Sequence, residues 1–392
     1  MVSKLASSVM PTYGEKTLEF VRGNGCYLYS SKNKKYLDFA SGIAVNSLGH
    51  CHPKLIDALN KQSKQLWHIS NLYVIKKQEQ FAKLLCKNSF ADKVFFTNSG
   101  TESIECGIKI IRGYHSYYNT KKTEIITFDG AFHGRTYGAL SAQKNKKYSK
   151  GFGPLLKGFK QIEFNNEKKL KLAINKKTAG IIIEPIQGEG GIRPANLSFL
   201  KLLRKICNKN GILLFFDEVQ CGFGRSGKLF SHEWAKIKPD IMSVAKGIGS
   251  GFPLGACLST NKACIAMTKG SHGSTYGGNP LAMSVGLEVL KLISNKNFLL
   301  KVDKIARYFW QNLKKLENTS NIISEVRGAG LLLGIKTNIS NIEFSEKLKK
   351  NRLLNVPAAD NTVRLAPPLI VSYKEIDKSI EIIRKSLKEF SR

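Results

Sequence analysis

Short runs of Ile, Val, Leu and Phe alternate with helix-period segments through the middle of this chain, and that alternation constrains the fold more than any other feature. Residues 94–97 read as a strand and 102–117 as a helix. Residues 124–128, 179–183, 212–216 and 241–244 read as further strands, with a helix over 197–208. A strand that is apolar along its whole length is buried on both faces. Strands of that kind separated by helices imply an α/β fold, a mostly parallel sheet covered on both sides. In such sheets ligands bind beyond the carboxyl ends of the strands. The residues directly after each strand are therefore the ones to inspect.

A chain of 392 residues is long enough for one large domain and a smaller one. Its character changes near residue 290. A long lysine-rich amphipathic helix pattern covers 298–317, a strand-like run covers 330–335, and a final helix pattern covers 374–390. We expect a large domain over residues 46–289 and a smaller α+β domain over 290–392. Residues 1–45, with a strand-like stretch at 26–29, are expected to pack with the smaller one. No internal repeat is evident.

The formal net charge is +33, which raises nucleic-acid binding as a function class. The lysines are spread along the whole chain, however, and clusters such as Lys144, Lys146 and Lys147 fall in polar loop sequence. No basic motif is interleaved with aromatics. A solvated lysine-rich surface is the better reading, with no nucleic-acid partner. No apolar run reaches the length of a membrane span, and the first residues show no apolar leader, so a cytoplasmic protein is expected. The eight cysteines are scattered with no C-x-x-C pair, which argues against a disulfide framework. His50, Cys51 and His52 are too close in sequence to converge on one ion, and no metal site is expected.

Four strand ends carry chemistry. After the first strand comes Asn98-Ser99-Gly100-Thr101-Glu102, running straight into a helix. Free backbone N–H groups, the helix dipole and hydroxyls there suit a phosphate, although an ordinary helix cap uses the same residues. After the second strand, Phe132 and Arg135 suit stacking on a ring and gripping a carboxylate. Asp217 ends a buried apolar strand and calls for a cationic partner, such as a pyridinium N–H. Lys246 ends another, where partial desolvation would lower its pKa and make it a nucleophile able to form a Schiff base. The run Gly222 to Lys228 fits G-x-G-x-x-G, and part of a P-loop. Leu229 stands where Ser or Thr should hold magnesium, however, and no helix pattern follows, so a glycine-rich turn is expected. A phosphate cradle, a ring stacker, a pyridinium partner and a nucleophilic lysine together describe a site for pyridoxal 5′-phosphate (PLP).

With these residues in view, the sequence resembles the class III (ω-type) PLP-dependent aminotransferases, and most of all their acetylornithine branch, which serves arginine biosynthesis. The matching stretches include GIAVNSLGHCHP (42–53), LWHISNLY (66–73), FFTNSGTES (95–103), FHGRT (132–136), IIEPIQGEGGI (182–192), LLFFDEVQCGFGR (213–225), PDIMSVAKGIGSGFPLGA (239–256), HGSTYGGNPLA (272–282), RGAGLLLGI (327–335) and VRLAPPLIVS (363–372). Ser103 and Ile104 stand where the family usually has Ala-Asn.

The resemblance implies PLP-dependent transferase fold type I, a homodimer with shared active sites, and N-acetylornithine and 2-oxoglutarate as substrates. N-succinyl-diaminopimelate is a further donor in some members. Ornithine, succinylornithine and 4-aminobutyrate are the donors of the rival branches. By the same resemblance, Lys246 carries PLP and then acts as general base, and Ser99, Gly100 and Thr101 hold its phosphate. Phe132 and Val219 lie on opposite faces of the ring, Asp217 keeps the pyridine nitrogen protonated, and Gln220 sits near the ring hydroxyl. Thr275 reaches the phosphate from the partner subunit. Arg135 binds a substrate carboxylate with Ser274 nearby. Glu189 and Arg364 form an ion pair that switches between the amino donor and 2-oxoglutarate.

Overall fold

Seven strands form the central sheet: β1 (Lys93–Thr97), β2 (Glu124–Phe128), β3 (Phe159–Ile162), β4 (Thr178–Ile183), β5 (Leu213–Asp217), β6 (Ile241–Val244) and β7 (Gly255–Ser259). Their spatial order is β1-β7-β6-β5-β4-β2-β3. Only β7 runs against its neighbours, so the α/β architecture with a mostly parallel sheet is the one observed. The apolar pattern does not single out β3, which is half polar, or β7, whose residues apart from Leu258 are small. The structure is a computed structural model and describes residues 8–14, 16–143 and 145–390. Residues 1–7 of the N-terminal stretch read above for a leader, and Lys144, lie outside them.

Strand β5 shows why the sheet is covered on both faces. All five of its residues are buried. Phe215 packs against Ile104, Ile108 and Ile111 of helix α1 (Gly100–Tyr117). Leu214 and Phe216 point the other way, against Phe199, Leu200 and Leu203 of α2 (Leu197–Asn210). The two-residue period thus feeds two cores from one strand, and each such side chain contributes about 1.5–3 kcal/mol by burial. The approach of α1 is close: a Cβ on Gly107 would stand 2.2 Å from Phe215 Cε1.

Helix α3 (Pro280–Ile293) buries Met283, Val285 and Val289 in a core shared with β6 and β7, and helix α4 (Lys296–Asn318) follows it. The expected boundary at residue 289 falls inside α3. The chain turns instead at Ser294 and Asn295, where the Asn295 side chain caps α4 by accepting from the Phe298 N–H. Helix α4 buries Val302, Ile305, Ala306, Phe309, Leu313 and Leu316 along one stripe and exposes Lys301, Lys304 and Lys315. Beyond it, Ile323–Ala329, Leu332–Thr337, Thr362–Leu365 and Val356–Ala358 form an antiparallel sheet. The N-terminal strands Phe20–Asn24, Tyr27–Ser30 and Lys35–Asp38 form a further sheet, completed by Leu353–Leu354 from the C-terminal part of the chain.

Residues 219–227 form turns rather than opening a helix. His50 hydrogen-bonds Asp38 Oδ2 at 2.7 Å, while Cys51 is exposed. Among the described residues, no helix is long and apolar enough to cross a membrane.

Candidate active site

The carboxyl ends of β1, β2, β4, β5 and β6 lie along one edge of the sheet and enclose a cavity of about 400 Å³. Ser99, Gly100, Thr101, Phe132, Arg135, Glu189, Asp217, Val219, Gln220 and Lys246 all line it. Arg364 reaches it from behind through Glu189 and Gln220. The fold does not bring Ser274 and Thr275 to it. They line a neighbouring pocket with Glu102 and Glu105, and Asn98 borders both spaces. Ser274 is therefore not beside Arg135 within one chain.

Strand β6 is fully buried, and it delivers Lys246 to the cavity in a left-handed conformation with φ of 48°. That backbone costs an L-residue roughly 1 kcal/mol and recurs where side chains must be aimed. Burial first, then the nearby Arg364, lowers the lysine amine to about 8, while Glu189, Asp217 and Glu184 pull it back. The neutral, nucleophilic amine is thereby within easy reach at physiological pH.

Asp217, buried at the end of β5, uses both carboxylate oxygens. Oδ1 accepts from the Val219 N–H at 3.0 Å, and Oδ2 pairs with His133 Nδ1 at 2.8 Å. Burial disfavours charge on His133, but the Asp217 carboxylate outweighs it and raises the imidazole pKa. His133 Nε2 is buried with no partner among the described residues. A second buried carboxylate, Glu184, follows β4. It accepts the Phe132 N–H at 2.8 Å and the Gly188 N–H at 3.2 Å. Burial, then the proximity of Asp217, pushes it up to about 7. Glu184 thus ties the loop presenting Phe132 and Arg135 to the loop presenting Glu189. The sequence reading overlooked both residues, although Glu184 directly follows a strand and His133 sits inside the FHGRT stretch.

The other end of the cavity is the start of α1. The Ser99 side chain accepts from the Glu102 N–H at 3.4 Å, and Gly100 and Thr101 open the helix. Gly100 has no room for a side chain, since a Cβ would meet Val219 Cγ1 at 2.7 Å. Thr101 Oγ1 lies 3.1 Å from Thr136 Oγ1, which in turn donates to Glu105.

On the substrate side, Arg364 is almost fully buried. Its Nη1 donates to Glu189 Oε1 at 2.6 Å and to Gln220 Oε1 at 2.9 Å, while Nε and Nη2 have no partner among the described residues. Burial alone would raise the Glu189 pKa, but Arg364 outweighs it and holds it below the usual carboxylate range. Gln220, expected near a ring hydroxyl, directs its carbonyl at Arg364. Exposed Arg135 stacks on Tyr148, with Cζ 3.9 Å from the ring centroid, and lies 5.5 Å from that of Phe132.

These residues fit a pyridoxal phosphate. A cradle too tight for any side chain but glycine sits at a helix N-terminus, where an anion is favoured. Phe132 and Val219 line the same cavity, and so do a buried carboxylate, Asp217, and an amine of lowered pKa, Lys246.

Comparison with known proteins agrees. The family described as Aminotransferase class-III matches residues 9–387. The acetylornithine aminotransferase of Agrobacterium fabrum is 50% identical over 376 residues, covering 95% of this chain and 94% of that protein. That of Brucella melitensis is 49% identical over 391 residues, covering 98% and 97%. Among solved structures, the ornithine aminotransferase of Toxoplasma gondii is similar with a TM-score of 0.94 at 28% identity, covering 98% of this chain and 93% of that one. An N-acetylornithine aminotransferase from Stenotrophomonas maltophilia gives 0.85 at 32% identity, covering 96% and 97%. The chain belongs to the class-III aminotransferases, enzymes that depend on pyridoxal phosphate.

Proposed function

We propose that this chain is an N2-acetylornithine:2-oxoglutarate aminotransferase. It would transfer the side-chain amine to give glutamate and N-acetylglutamate 5-semialdehyde. The observation that carries the chemistry is the Lys246 amine of lowered pKa, facing a cavity that Asp217 and the Arg364-paired Glu189 also line. The choice of donor rests on relatives about half identical over nearly the whole chain, whose names specify acetylornithine.

When bound, pyridoxal phosphate supplies an electron sink for the carbon that bears the migrating amine. In this proposal Ser99, Gly100 and Thr101 would hold the phosphate at the α1 N-terminus, Phe132 and Val219 would flank the ring, and Lys246 would carry the group. Asp217 would keep the ring nitrogen protonated, and His133 holds its carboxylate in place. Lys246 Nζ, its amine lowered to about 8, would serve as the general base that takes a proton from the amine-bearing carbon of the donor. Arg364, once Glu189 yields, receives a carboxylate of 2-oxoglutarate, and Arg135 receives a second. The cavity floor of Leu254 and Phe252 helps to exclude water.

A homodimer is part of the proposal. Trp67, Leu72, Tyr73, Val74 and Tyr276 are exposed, and Asn71 hydrogen-bonds the Ser274 and Gly277 carbonyls in the same region. A partner covering this surface would bring Thr275 to a phosphate held by the other chain. All eight cysteines stand unpaired, which supports a reducing compartment such as the cytoplasm.

The resemblance to ornithine aminotransferases keeps a second donor in play. Steady-state rates with acetylornithine, ornithine, succinylornithine, N-succinyl-diaminopimelate and 4-aminobutyrate decide between them. Acetylornithine should give the highest kcat/KM, and a preference for ornithine would overturn the substrate assignment. Lys246→Ala should lose turnover with every donor and the visible absorbance of the bound cofactor, while keeping its far-UV circular dichroism. Normal turnover in that variant would refute the mechanism.

A further inference from the structure

A second cavity, of about 570 Å³, shares no lining residue with the active-site cavity. Helix α4 forms one wall with Ala306, Arg307 and Trp310. The base of the hairpin Ile186–Gln187/Arg193–Pro194, whose loop carries Glu189, forms another. Trp234, Leu197 and Leu200 of α2, and the strand end at Gly328–Gly330 line the rest.

Three features define what it would take. Two of the chain's three tryptophans line this one space, and indoles are broad apolar faces suited to stacking on planar rings. At the border a lysine stands over each indole. Lys228 Nζ lies 5.2 Å from the centre of the Trp234 ring and Lys314 Nζ 5.3 Å from that of Trp310. Among the described residues, Asp303 is the one carboxylate lining the space, paired with the largely exposed Arg307 at 2.7 Å, and on the rim Glu317 pairs with Lys314 at 2.7 Å. Finally, the volume is in the range of small-ligand sites, which are mostly apolar with a few placed polar groups. Here those groups are Ser231, Gln311 and Arg307.

We propose that this cavity is a second small-molecule site, taking a planar aromatic anion that stacks on Trp234 and Trp310 with its acid group toward Arg307 and the lysine-bearing rim. A neutral aromatic would fill the apolar space without meeting the lysines at the border, and an aliphatic acid would forgo the indole faces.

The test uses the holoenzyme with saturating 2-oxoglutarate, so that the active site is occupied. Naphthalene-2-carboxylate is titrated calorimetrically, with naphthalene-2-methanol as the neutral control. One saturable site per chain is expected, with the carboxylate binding about ten-fold more tightly than the alcohol. Trp310→Leu and Trp234→Leu should each weaken binding by about ten-fold and leave transaminase activity unchanged. Ala306→Phe, which fills the cavity rather than emptying it, should abolish binding and also leave activity unchanged. Non-saturable binding, or saturable binding that survives both Trp310→Leu and Ala306→Phe, would overturn the proposal.

Discussion

Removing the Glu189 carboxylate should tighten the binding of 2-oxoglutarate while loosening the fold. In the resting chain, Glu189 occupies the guanidinium that the proposed mechanism assigns to a substrate carboxylate, at 2.6 Å. Arg364 exposes 1% of its side chain and Glu189 exposes 25%. Breaking a fully buried pair from one side costs about 3–5 kcal/mol. The partial exposure of Glu189 and the surviving bond to Gln220 reduce that to about 2 kcal/mol. A carboxylate entering the native site must displace Glu189, whereas in Glu189→Ala it meets an unpaired guanidinium. The same 2 kcal/mol then appears as up to about 30-fold tighter binding of 2-oxoglutarate. Glu189→Gln keeps the volume and one acceptor but loses the charge, and should fall between. The folded-state pKa of Glu189 is depressed. The stability of the pair is therefore present above the ordinary carboxylate pKa and is lost as pH falls through the depressed value. The stability gap between native protein and variant should close in that acid window. The assay follows each half-reaction separately through the visible absorbance of the bound cofactor, with thermal unfolding alongside. A lower melting temperature with unchanged or weaker 2-oxoglutarate binding would make the pair purely structural and refute the reasoning.

Gly107→Ala should destabilise the chain by about 1–3 kcal/mol, because the new Cβ meets Phe215 at 2.2 Å between two packed backbones. Denaturant unfolding checks this, and the gain of about 1 kcal/mol typical of Gly→Ala in a helix would contradict the packing. Glu218 is buried, accepts the Ser231 and His232 N–H groups, and is pushed by burial up to about 8. Between the ordinary carboxylate pKa and about 8 the unfolded chain is ionised while the folded chain holds the proton. This group therefore lowers stability as pH rises through that window. Glu218→Gln should flatten the pH dependence of unfolding between about pH 5 and 8, and an unchanged slope would place the carboxylate's titration elsewhere.

The sheet and most of the cavity were legible in the sequence because one physical rule generates both. A strand buried on two faces must be apolar throughout, so a polar residue directly after it stands out. Lys246 and Asp217 stand out in that way, and the α1 cap follows from its small and hydroxyl residues. Glu184 follows a buried strand in the same way, but its role beside Asp217 and that of His133 depend on strand order, which the apolar pattern does not reveal. Strands β4 and β5 are neighbours with Ile183 opposite Phe216, so the next residues, Glu184 and Asp217, are brought side by side. Two buried carboxylates so placed cannot both ionise cheaply. His133, arriving from the β2 loop, answers Asp217 directly, and the Phe132 and Gly188 amides answer Glu184. Burial, then the proximity of Asp217, pushes Glu184 up to about 7. Asp217, paired with His133, is the carboxylate proposed to face the cofactor nitrogen. Glu184, held by two backbone amides, is left to hold the Phe132 and Glu189 loops together. The register of one strand pair thus separates the electrostatic role from the positioning role.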